Sequence, residues 1–233
     1  MSKAEAPRPG GEVRLPRATV GRLSLYLRHL ERLAAEGVET ISSSQLGESL
    51  GVTDAQVRKD LAYFGHLGYP GVGYYPKELI AVIRRAFGLD RTWSVVLVGV
   101  GNLARALLRY RGFREQGFHI VALFDKDPSK IGQEVDGLTI QPVDRLAETV
   151  AASGAQLGII TVPAEAAQDV ANALAACGIR GIMNFAPVVL RVPPGVSLIA
   201  VDLAVQLEQL AFYVQNERAG VRLPEGDASV DAD

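Results

Sequence analysis

Cysteine is almost missing from this sequence, and long apolar runs are missing entirely. The 233 residues include one cysteine, Cys177, which excludes an internal disulfide and a cysteine-based zinc site. The first 20 residues lack the apolar segment of a signal peptide, and nowhere do 18 apolar residues follow one another. We therefore expect a soluble, cytoplasmic protein that binds neither a metal nor a membrane.

The net charge of −2 gives no general attraction to nucleic acid, but it conceals an uneven distribution. Residues 1–92 carry 13 basic and 10 acidic side chains, whereas residues 93–233 carry 11 basic and 16 acidic ones. The sign of the charge changes where the hydrophobic pattern changes, which indicates two domains with different partners. The polar ends of the chain, which contain proline and glycine, predict disordered tails over residues 1–15 and 218–233.

Two short helices joined by a tight turn are predicted between residues 42 and 64. Residues 42–45 and 53–56 each fit the S/T-x-x-E/Q capping box that begins a helix. Gly51 lies where the first helix must end, because glycine adopts the left-handed C-cap conformation without strain. This pattern predicts a helix-turn-helix, followed by a glycine-rich hairpin over residues 65–76. With a further helix on either side, residues 16–90 are predicted to form a winged helix-turn-helix domain.

The second helix of this pair presents a face suited to the major groove of DNA. Val57, Leu61 and Phe64 lie on its core side, and small and basic residues lie opposite. Glutamine can pair with adenine and arginine with guanine, while lysine and tyrosine can reach phosphates. A solvated helix with ordinary surface charges is the alternative. The predicted DNA-binding residues are Ser43, Ser44, Gln56, Arg58, Lys59, Tyr63, Gly71, Gly73 and Tyr74.

From Trp93 onwards, short apolar runs alternate with helical segments. This alternation is typical of a parallel sheet covered by helices on both faces. We therefore predict a doubly wound α/β domain of the Rossmann type over residues 91–200, followed by a terminal helix over residues 201–217. The terminal helix has apolar residues on more than one side, which favours burial in an oligomer. Burial against its own sheet alone is the alternative.

A G-x-G-x-x-A motif at residues 99–104 follows the first strand of this domain and begins a helix. Gly99 permits the tight turn, and Gly101 lets the backbone approach a pyrophosphate. Ala104 is small enough for the helix to contact the strand, and the helix start faces the phosphates. A glycine turn that is needed only for packing is the alternative.

The carboxyl ends of the later strands complete the predicted dinucleotide site. Asp125 ends the second strand and can accept both ribose hydroxyls of adenosine, which favours NAD over NADP; Asp127 could serve instead, and Lys126 could weaken the discrimination. The segments 161–163 and 184–187 are mostly apolar and favour a neutral dihydronicotinamide, unless they are simply buried strand ends. The predicted cofactor-binding residues are Gly99, Gly101, Asn102, Leu103, Ala104, Asp125, Lys130, Thr161, Val162, Pro163, Asn184, Phe185, Ala186 and Pro187.

An NAD-dependent dehydrogenase is the first alternative function for such a domain, but the side chains it needs are scarce. Hydride transfer to a carbonyl usually requires a positioned acid or base. No lysine follows Lys130, and no tyrosine is followed four residues later by a lysine. We therefore expect a ligand-binding protein without catalytic residues. A structural protein with a vestigial Rossmann fold is the second alternative.

Taken in order along the chain, these motifs resemble the Rex family of redox-sensing transcriptional repressors. The resemblance covers residues 19–216. It rests on the segments QVRKDLAYFG (56–65), GVGY (71–74), GVGNLARAL (99–107), FDKDPSKIG (124–132), TVPAEAAQ (161–168), GIMNFAPVVL (181–190) and VDLAVQLEQL (201–210). Two positions depart from the family pattern: Ala104 replaces the usual third glycine, and Pro70 replaces a basic residue before the wing, which puts a contact between the wing and DNA in doubt.

The resemblance implies a homodimer that binds a palindromic operator and releases it when NADH binds. It also implies that a C-terminal helix starting at Asp202 is exchanged between subunits. Tyr110 and Asp202 would form a network sensitive to the nicotinamide, with Arg28 linking it to the DNA-binding domain. NADH would favour an arrangement whose recognition helices do not match half-sites about 34–36 Å apart.

Overall fold

The computed structural model describes residues 15–217, and the chain divides between Asp90 and Arg91 into two compact units. The disordered tails predicted for residues 1–15 and 218–233 lie outside the described residues, except for residue 15. Each unit has apolar core clusters of its own.

Between residues 15 and 90 the N-terminal unit has four helices, α1 (Arg17–Ala35), α2 (Ser43–Leu50), α3 (Asp54–Ala62) and α4 (Pro76–Ala86). All four contribute to one core, in which Leu23, Leu46, Leu61 and Ile83 are at most 2% exposed. Gly51 ends α2 in the left-handed conformation, with φ 69°. The predicted helix-turn-helix is therefore confirmed in α2 and α3.

The two helices of this pair begin differently. At Ser42 the capping box is complete, because the Gln45 N–H donates to Ser42 Oγ (3.1 Å) and the Ser42 N–H donates to Gln45 Oε1 (2.9 Å). At Thr53 the Gln56 N–H donates to Oγ1 (3.2 Å), but the Gln56 side chain bonds to Asp60 (2.9 Å) instead of returning to the cap. The second predicted capping box is thus only half formed.

The glycine-rich segment before α4 forms a smaller hairpin than the sequence predicts. Tyr69 and Gly73 pair in a single antiparallel bridge, and Tyr74 pairs with Ile41, just before α2. A Cβ on Gly73 would lie 2.5 Å from the carbonyl oxygen of Ile41, so this approach requires glycine. The wing is thereby attached to the start of the helix-turn-helix.

A seven-stranded sheet with the order β3-β4-β2-β1-β5-β6-β7 forms the centre of the C-terminal unit. Its strands are β1 (Trp93–Val98), β2 (Phe118–Asp125), β3 (Glu134–Val135), β4 (Leu138–Pro142), β5 (Leu157–Ile160), β6 (Gly181–Asn184) and β7 (Ser197–Ala200). Neighbouring strands are parallel, except that β3 and β4 are antiparallel.

Helices cover both faces of this sheet. They are α5 (Asn102–Arg109), α6 (Arg111–Glu115), α7 (Leu146–Ser153) and α8 (Ala164–Ala176), with a short 3-10 helix at Val143–Arg145. A last helix, α9 (Leu203–Glu217), follows β7, and its side chains are largely exposed. Val96 and Val98 of β1 belong to a cluster with α7 and α8, whereas Val95 and Leu97 belong to a second cluster with α5. This alternation confirms the predicted doubly wound α/β fold.

Candidate functional site

The turn after β1 lies against the end of β5. Gly99 has φ 96°, and a Cβ there would lie 2.6 Å from Val162 Cγ1 and 2.8 Å from the carbonyl oxygen of Thr161. Thr161 Oγ1 donates to the carbonyl oxygens of Gly99 (2.7 Å) and Val98 (3.2 Å). The side chain of Thr161 thus joins the ends of the two strands, and glycine is required at the turn.

Gly101, unlike Gly99, is not required by its neighbours in the fold. It is the N-cap of α5 with an extended backbone, and a Cβ built on it would meet no atom within 4 Å. Asn102 and Leu103, which begin the helix, are exposed, whereas Ala104 is fully buried. The space in front of α5 is therefore open. Backbone N–H groups at a helix start favour an anionic group in such a position.

Asp125 lies at the end of β2, where it is 6% exposed and contacts the glycine-rich turn. Its Oδ2 accepts from the Val100 N–H (2.8 Å) and Lys130 Nζ (2.9 Å), and its Oδ1 accepts from the Asp127 N–H (2.9 Å). Burial raises the pKa of Asp125, but these hydrogen bonds outweigh burial and hold the pKa below its usual range. Asp125 is therefore ionised beside the turn.

Lys130, and not Lys126, is the cation that pairs with Asp125. Lys126 is exposed, whereas a turn at residues 127–130 brings Lys130 back to the end of β2. Asp127 accepts hydrogen bonds from the Ser129 N–H (2.9 Å) and Oγ (2.7 Å) within that turn. Of the two carboxylates that the sequence left open, Asp125 is the one in contact with the glycine-rich turn.

The segments after β5 and β6 run side by side, since the Phe185 N–H donates to the carbonyl oxygen of Ile160 (2.9 Å). Val162 packs against one core cluster and Phe185 against the other. Ala186 is 5% exposed, while Pro163 and Pro187 are exposed. These side chains give the edge of the sheet beside Gly99 a mostly apolar character.

Asn184 is buried at 1% exposure and holds the following loop in place. Its Nδ2 donates to the carbonyl oxygens of Ala186 (3.0 Å) and Val188 (3.1 Å), and its Oδ1 accepts from the Ala186 N–H (2.9 Å). Asn184, a predicted cofactor-binding residue, thus places its side-chain hydrogen bonds within the loop. Its contribution to a ligand site would be to shape residues 185–188.

The exposed side of α3 carries Arg58 and Lys59, and Tyr63 is exposed at the C-cap of the helix. Arg58 Nη1 donates to Asp54 Oδ2 (2.7 Å) and to Ser43 Oγ (3.0 Å), so residues from α2 and α3 come together. The Arg58 side chain is 54% exposed. An exposed pair of this kind contributes little to stability, and Arg58 can therefore leave Asp54 for a base or a phosphate.

The three predicted wing residues differ in exposure. Gly71 is exposed at the tip of the hairpin, beside Val72. Gly73 is held against Ile41, and the Tyr74 ring packs partly buried on the core of the unit. Burial raises the pKa of Tyr74. Gly71 is thus the member of the three best placed to approach DNA.

Asp60 of α3 is a fully buried carboxylate that was not among the predicted site residues. Its Oδ1 accepts from Thr19 Oγ1 (3.3 Å), Arg22 Nη2 (2.9 Å) and Gln56 Nε2 (2.9 Å). Its Oδ2 accepts from Arg22 Nε (2.7 Å) and Tyr26 OH (3.0 Å). Burial raises the pKa of Asp60, but the hydrogen bonds from Arg22, Gln56 and Tyr26 outweigh it and lower the pKa. Asp60 therefore ties α3 to α1 as an anion.

Of the three residues implied in redox sensing, Tyr110 and Asp202 have side-chain contacts within their own unit. Arg28 is exposed on α1. Tyr110 is 52% exposed at the break between α5 and α6, and its ring contacts Phe113 edge-on at 5.2 Å between centroids. Asp202 caps α9, accepting the Ala204 N–H at 2.9 Å. These contacts leave the sensing role a prediction.

Within residues 15–217, no group of three or more His, Cys, Asp or Glu side chains is placed to hold a metal ion. In the same part of the chain, no helix is long and apolar enough to cross a membrane.

Comparison with known proteins gives relatives that cover most of the chain. The family model "Putative DNA-binding protein N-terminus" matches residues 14–62, and the model "CoA binding domain" matches residues 90–188. A protein of Desulfitobacterium hafniense named redox-sensing transcriptional repressor Rex is 53% identical over 207 residues, which cover 89% of this chain and 99% of that protein.

Crystal structures of RSP, a Rex-family repressor, match 89% of this chain. The structure of RSP with β-NAD+ and operator DNA is 34% identical, with a TM-score of 0.84 over 96% of that chain. The structure of RSP with β-NADH is 33% identical, with a TM-score of 0.81 over 98% of that chain.

Proposed function

The chain belongs to the Rex family of redox-sensing transcriptional repressors, and from this membership we propose that it binds operator DNA according to the NADH/NAD+ ratio. One observation carries the proposal. A single chain joins a helix-turn-helix unit to a Rossmann unit in which an open glycine-rich turn lies beside an ionised carboxylate. The first unit is suited to DNA and the second to a dinucleotide.

Operator recognition is assigned to the N-terminal domain, residues 16–90. In this assignment α3 enters the major groove, where Arg58 is placed for a base edge and Lys59 and Tyr63 for phosphates. Ser43 and Ser44 of α2 supply phosphate contacts beside Arg58. The wing approaches the backbone or the minor groove through Gly71, with Gly73 and Tyr74 supporting it from within.

Dinucleotide binding is assigned to the Rossmann domain, residues 91–200, and its residues fit this ligand. The pyrophosphate would lie in the open space at Gly101, on the N–H groups of Asn102 and Leu103. Asp125 would bind the adenosine ribose. A carboxylate has roughly four acceptor positions, and three at Asp125 are taken, so a ribose diol requires the 33% exposed Lys130 to move aside.

Redox sensing is assigned to the apolar edge formed by residues 161–163 and 184–187. A bound nicotinamide supplies a ring that is cationic when oxidised and neutral when reduced. The apolar side chains of Val162, Phe185 and Ala186 favour the neutral ring, because burying an unpaired charge is costly. NADH would therefore bind more tightly than NAD+, and Tyr110, Asp202 and Arg28 would transmit this difference.

The proposed active form is a homodimer in which the C-terminal segment 201–217, which contains α9 (Leu203–Glu217), is exchanged between subunits. Its apolar side chains are largely exposed in the single chain, including Leu207 at 67%, Leu210 at 55% and Phe212 at 59%. A second copy of this chain is the occupant that a palindromic operator requires, because a two-fold DNA site matches a two-fold protein. We propose the cytoplasm as the compartment of the repressor.

A dehydrogenase is not favoured, since the relatives are named transcriptional repressors. The mechanism is then a population shift: NADH releases the operator because it binds more tightly to the state of the dimer that does not fit DNA.

Fluorescence anisotropy with a labelled palindrome at fixed salt tests the proposal, with NADH and NAD+ titrated separately. We expect NADH to weaken operator binding and NAD+ to leave it in place. Equal operator affinity with both nucleotides would overturn the sensing function, and steady turnover of NAD with a small substrate would support the dehydrogenase.

A further inference from the structure

Gln56 lies at the edge of the exposed face of α3, one helical turn before Asp60. Its Nε2 donates to Asp60 Oδ1 at 2.9 Å. No donor among residues 15–217 bonds to its Oε1. The Gln56 side chain therefore bridges the buried interior of the unit and the surface that the proposed function turns toward DNA.

The chemistry of Asp60 determines which way the Gln56 amide points. An ionised carboxylate accepts hydrogen bonds and donates none, so the amide nitrogen of Gln56 must face it. Arg22 holds the carboxylate by two guanidinium nitrogens, at 2.7 Å and 2.9 Å, and Tyr26 adds a third donor at 3.0 Å. A two-pronged arginine contact of this kind fixes orientation as well as distance. Asp60 cannot turn away from Gln56 without losing the two-pronged contact with Arg22.

We propose that Asp60 is a positioning residue for DNA recognition, which orients Gln56 so that its Oε1 faces the base edges and selects a base with an amino group. This inference rests on the proposed operator binding and deepens it, since it identifies what determines the specificity at one base pair.

The oriented amide matches adenine. In the major groove adenine offers an N6 amino donor beside the N7 acceptor, and Gln56 would meet them with Oε1 and the second N–H of Nε2. Guanine offers two acceptors, O6 and N7, so a fixed Oε1 would face O6 without a proton between them. A glutamine that can rotate freely would relieve this conflict by presenting its NH2 group. A Gln56 amide held by Asp60 therefore disfavours guanine, whereas an amide that can rotate would accept guanine as well as adenine.

The inference is tested on a palindromic operator selected by the wild-type chain, in which each base pair is replaced symmetrically. Affinities are measured by anisotropy at fixed salt without nucleotide. We expect Gln56→Ala to lose the preference for adenine over guanine at one base pair per half-site, by roughly tenfold. Asp60→Asn should lose the preference at the same base pair, because an amide in place of the carboxylate no longer dictates the orientation of Gln56.

Tyr26→Phe is the matched control. It removes a donor from Oδ2 and leaves the bond between Oδ1 and Gln56 in place, so it should lower the melting temperature while the base preference stays as in the wild type. If Asp60→Asn does not fold by circular dichroism, Arg22→Lys replaces it, because lysine keeps the charge and loses the two-pronged contact. That variant should lose at least half of the preference.

The outcomes distinguish a failure of the positioning role of Asp60 from a failure of the proposed operator binding. Operators bound by Asp60→Asn or Arg22→Lys with the wild-type base preference would overturn the positioning role, although the repressor function would stand. An unchanged preference in Gln56→Ala would overturn it as well. A wild-type chain that selects no operator would overturn the proposed function itself.

Discussion

Asp125 ends β2 and Asp127 begins the turn that follows, and the contacts of the two carboxylates differ. Asp125→Ala should weaken NADH binding roughly tenfold or more, because hydrogen bonds to a charged group contribute about 1.5–3 kcal/mol. The fluorescence of bound NADH measures this affinity. Asp127→Ala is the matched control and should stay within about twofold of the wild type.

The operator affinities of Asp125→Ala and Arg58→Ala test whether the two units bind different ligands. Asp125→Ala should bind the operator normally without nucleotide, whereas Arg58→Ala should weaken operator binding and leave NADH affinity intact. Loss of both activities in either variant would contradict the assignment of the two sites to different units.

Single residues were predictable where a motif fixes the backbone around them. Gly99, Gly101 and Asp125 follow from spacing, because a turn, a close approach and a strand end each demand one residue type. Lys130 was predicted as a site residue, but its ion pair with Asp125 was not, because the pair depends on a turn that brings Lys130 back to the end of β2. Asp60 was not predicted, although the helical pattern could have identified it. It is a charged residue between Val57 and Leu61, beside the core side of the helix.

At the scale of elements, Gly99 and Gly101 lie in the same turn between β1 and α5, but an added Cβ should affect stability at Gly99 and NADH binding at Gly101. Gly99→Ala should destabilise the C-terminal unit by about 1–3 kcal/mol, because the position has φ 96° and the new Cβ would lie 2.6 Å from Val162. Gly101→Ala should leave the melting temperature unchanged, since nothing lies within 4 Å, yet lower NADH affinity by filling the phosphate approach.

Calorimetry and NADH titration of the two variants check this contrast. A Gly101→Ala chain with wild-type NADH affinity would contradict a phosphate site at the start of α5. A Gly99→Ala chain with wild-type stability would contradict the close contact between the turn and the end of β5.

The attachment of α3 to α1 through Asp60 should depend on pH. Because the pKa of Asp60 is lowered on folding, its ionised form stabilises the fold above the ordinary aspartate pKa of about 4. This stabilisation is lost as the pH falls through the lowered, folded-state pKa. Asp60→Asn should therefore cost about 2 kcal/mol at pH 7.

Thermal unfolding of both chains between pH 7 and pH 3 provides the measurement. The difference in stability should be constant down to about pH 4 and should shrink below it. A difference that stays the same at pH 3 would show that the charge of Asp60 does not hold the two helices together.

Elements were predictable where their pattern was long or capped, and less so where they were short. The helix-turn-helix and the alternating strands and helices followed from caps and apolar runs. The antiparallel pair β3 and β4 was not predicted, although Asp136-Gly137, with φ 52° and 78°, is a hairpin turn signal. The predicted hairpin of the wing is reduced to the single bridge between Tyr69 and Gly73. Tyr74 pairs instead with Ile41, a partner that the local sequence does not indicate.

At the scale of the whole molecule, α9 should hold two chains together. Leu207 and Leu210 lie on one side of the helix and are exposed, so Leu207→Asp with Leu210→Asp should convert the dimer into a monomer. Light scattering after size-exclusion chromatography gives the mass. Gln209→Asp adds a charge on another side of the helix and should remain dimeric. A wild-type monomer, or a dimeric double variant, would contradict the exchange of α9.

The repressor is proposed to convert the redox state of a nicotinamide into operator affinity. The most direct test of this conversion is the anisotropy of a labelled palindromic operator at fixed salt and fixed total nucleotide, with the NADH/NAD+ ratio varied. We expect operator affinity to fall continuously as the ratio rises, since NADH favours the state that does not fit DNA. The same affinity at every ratio would contradict it.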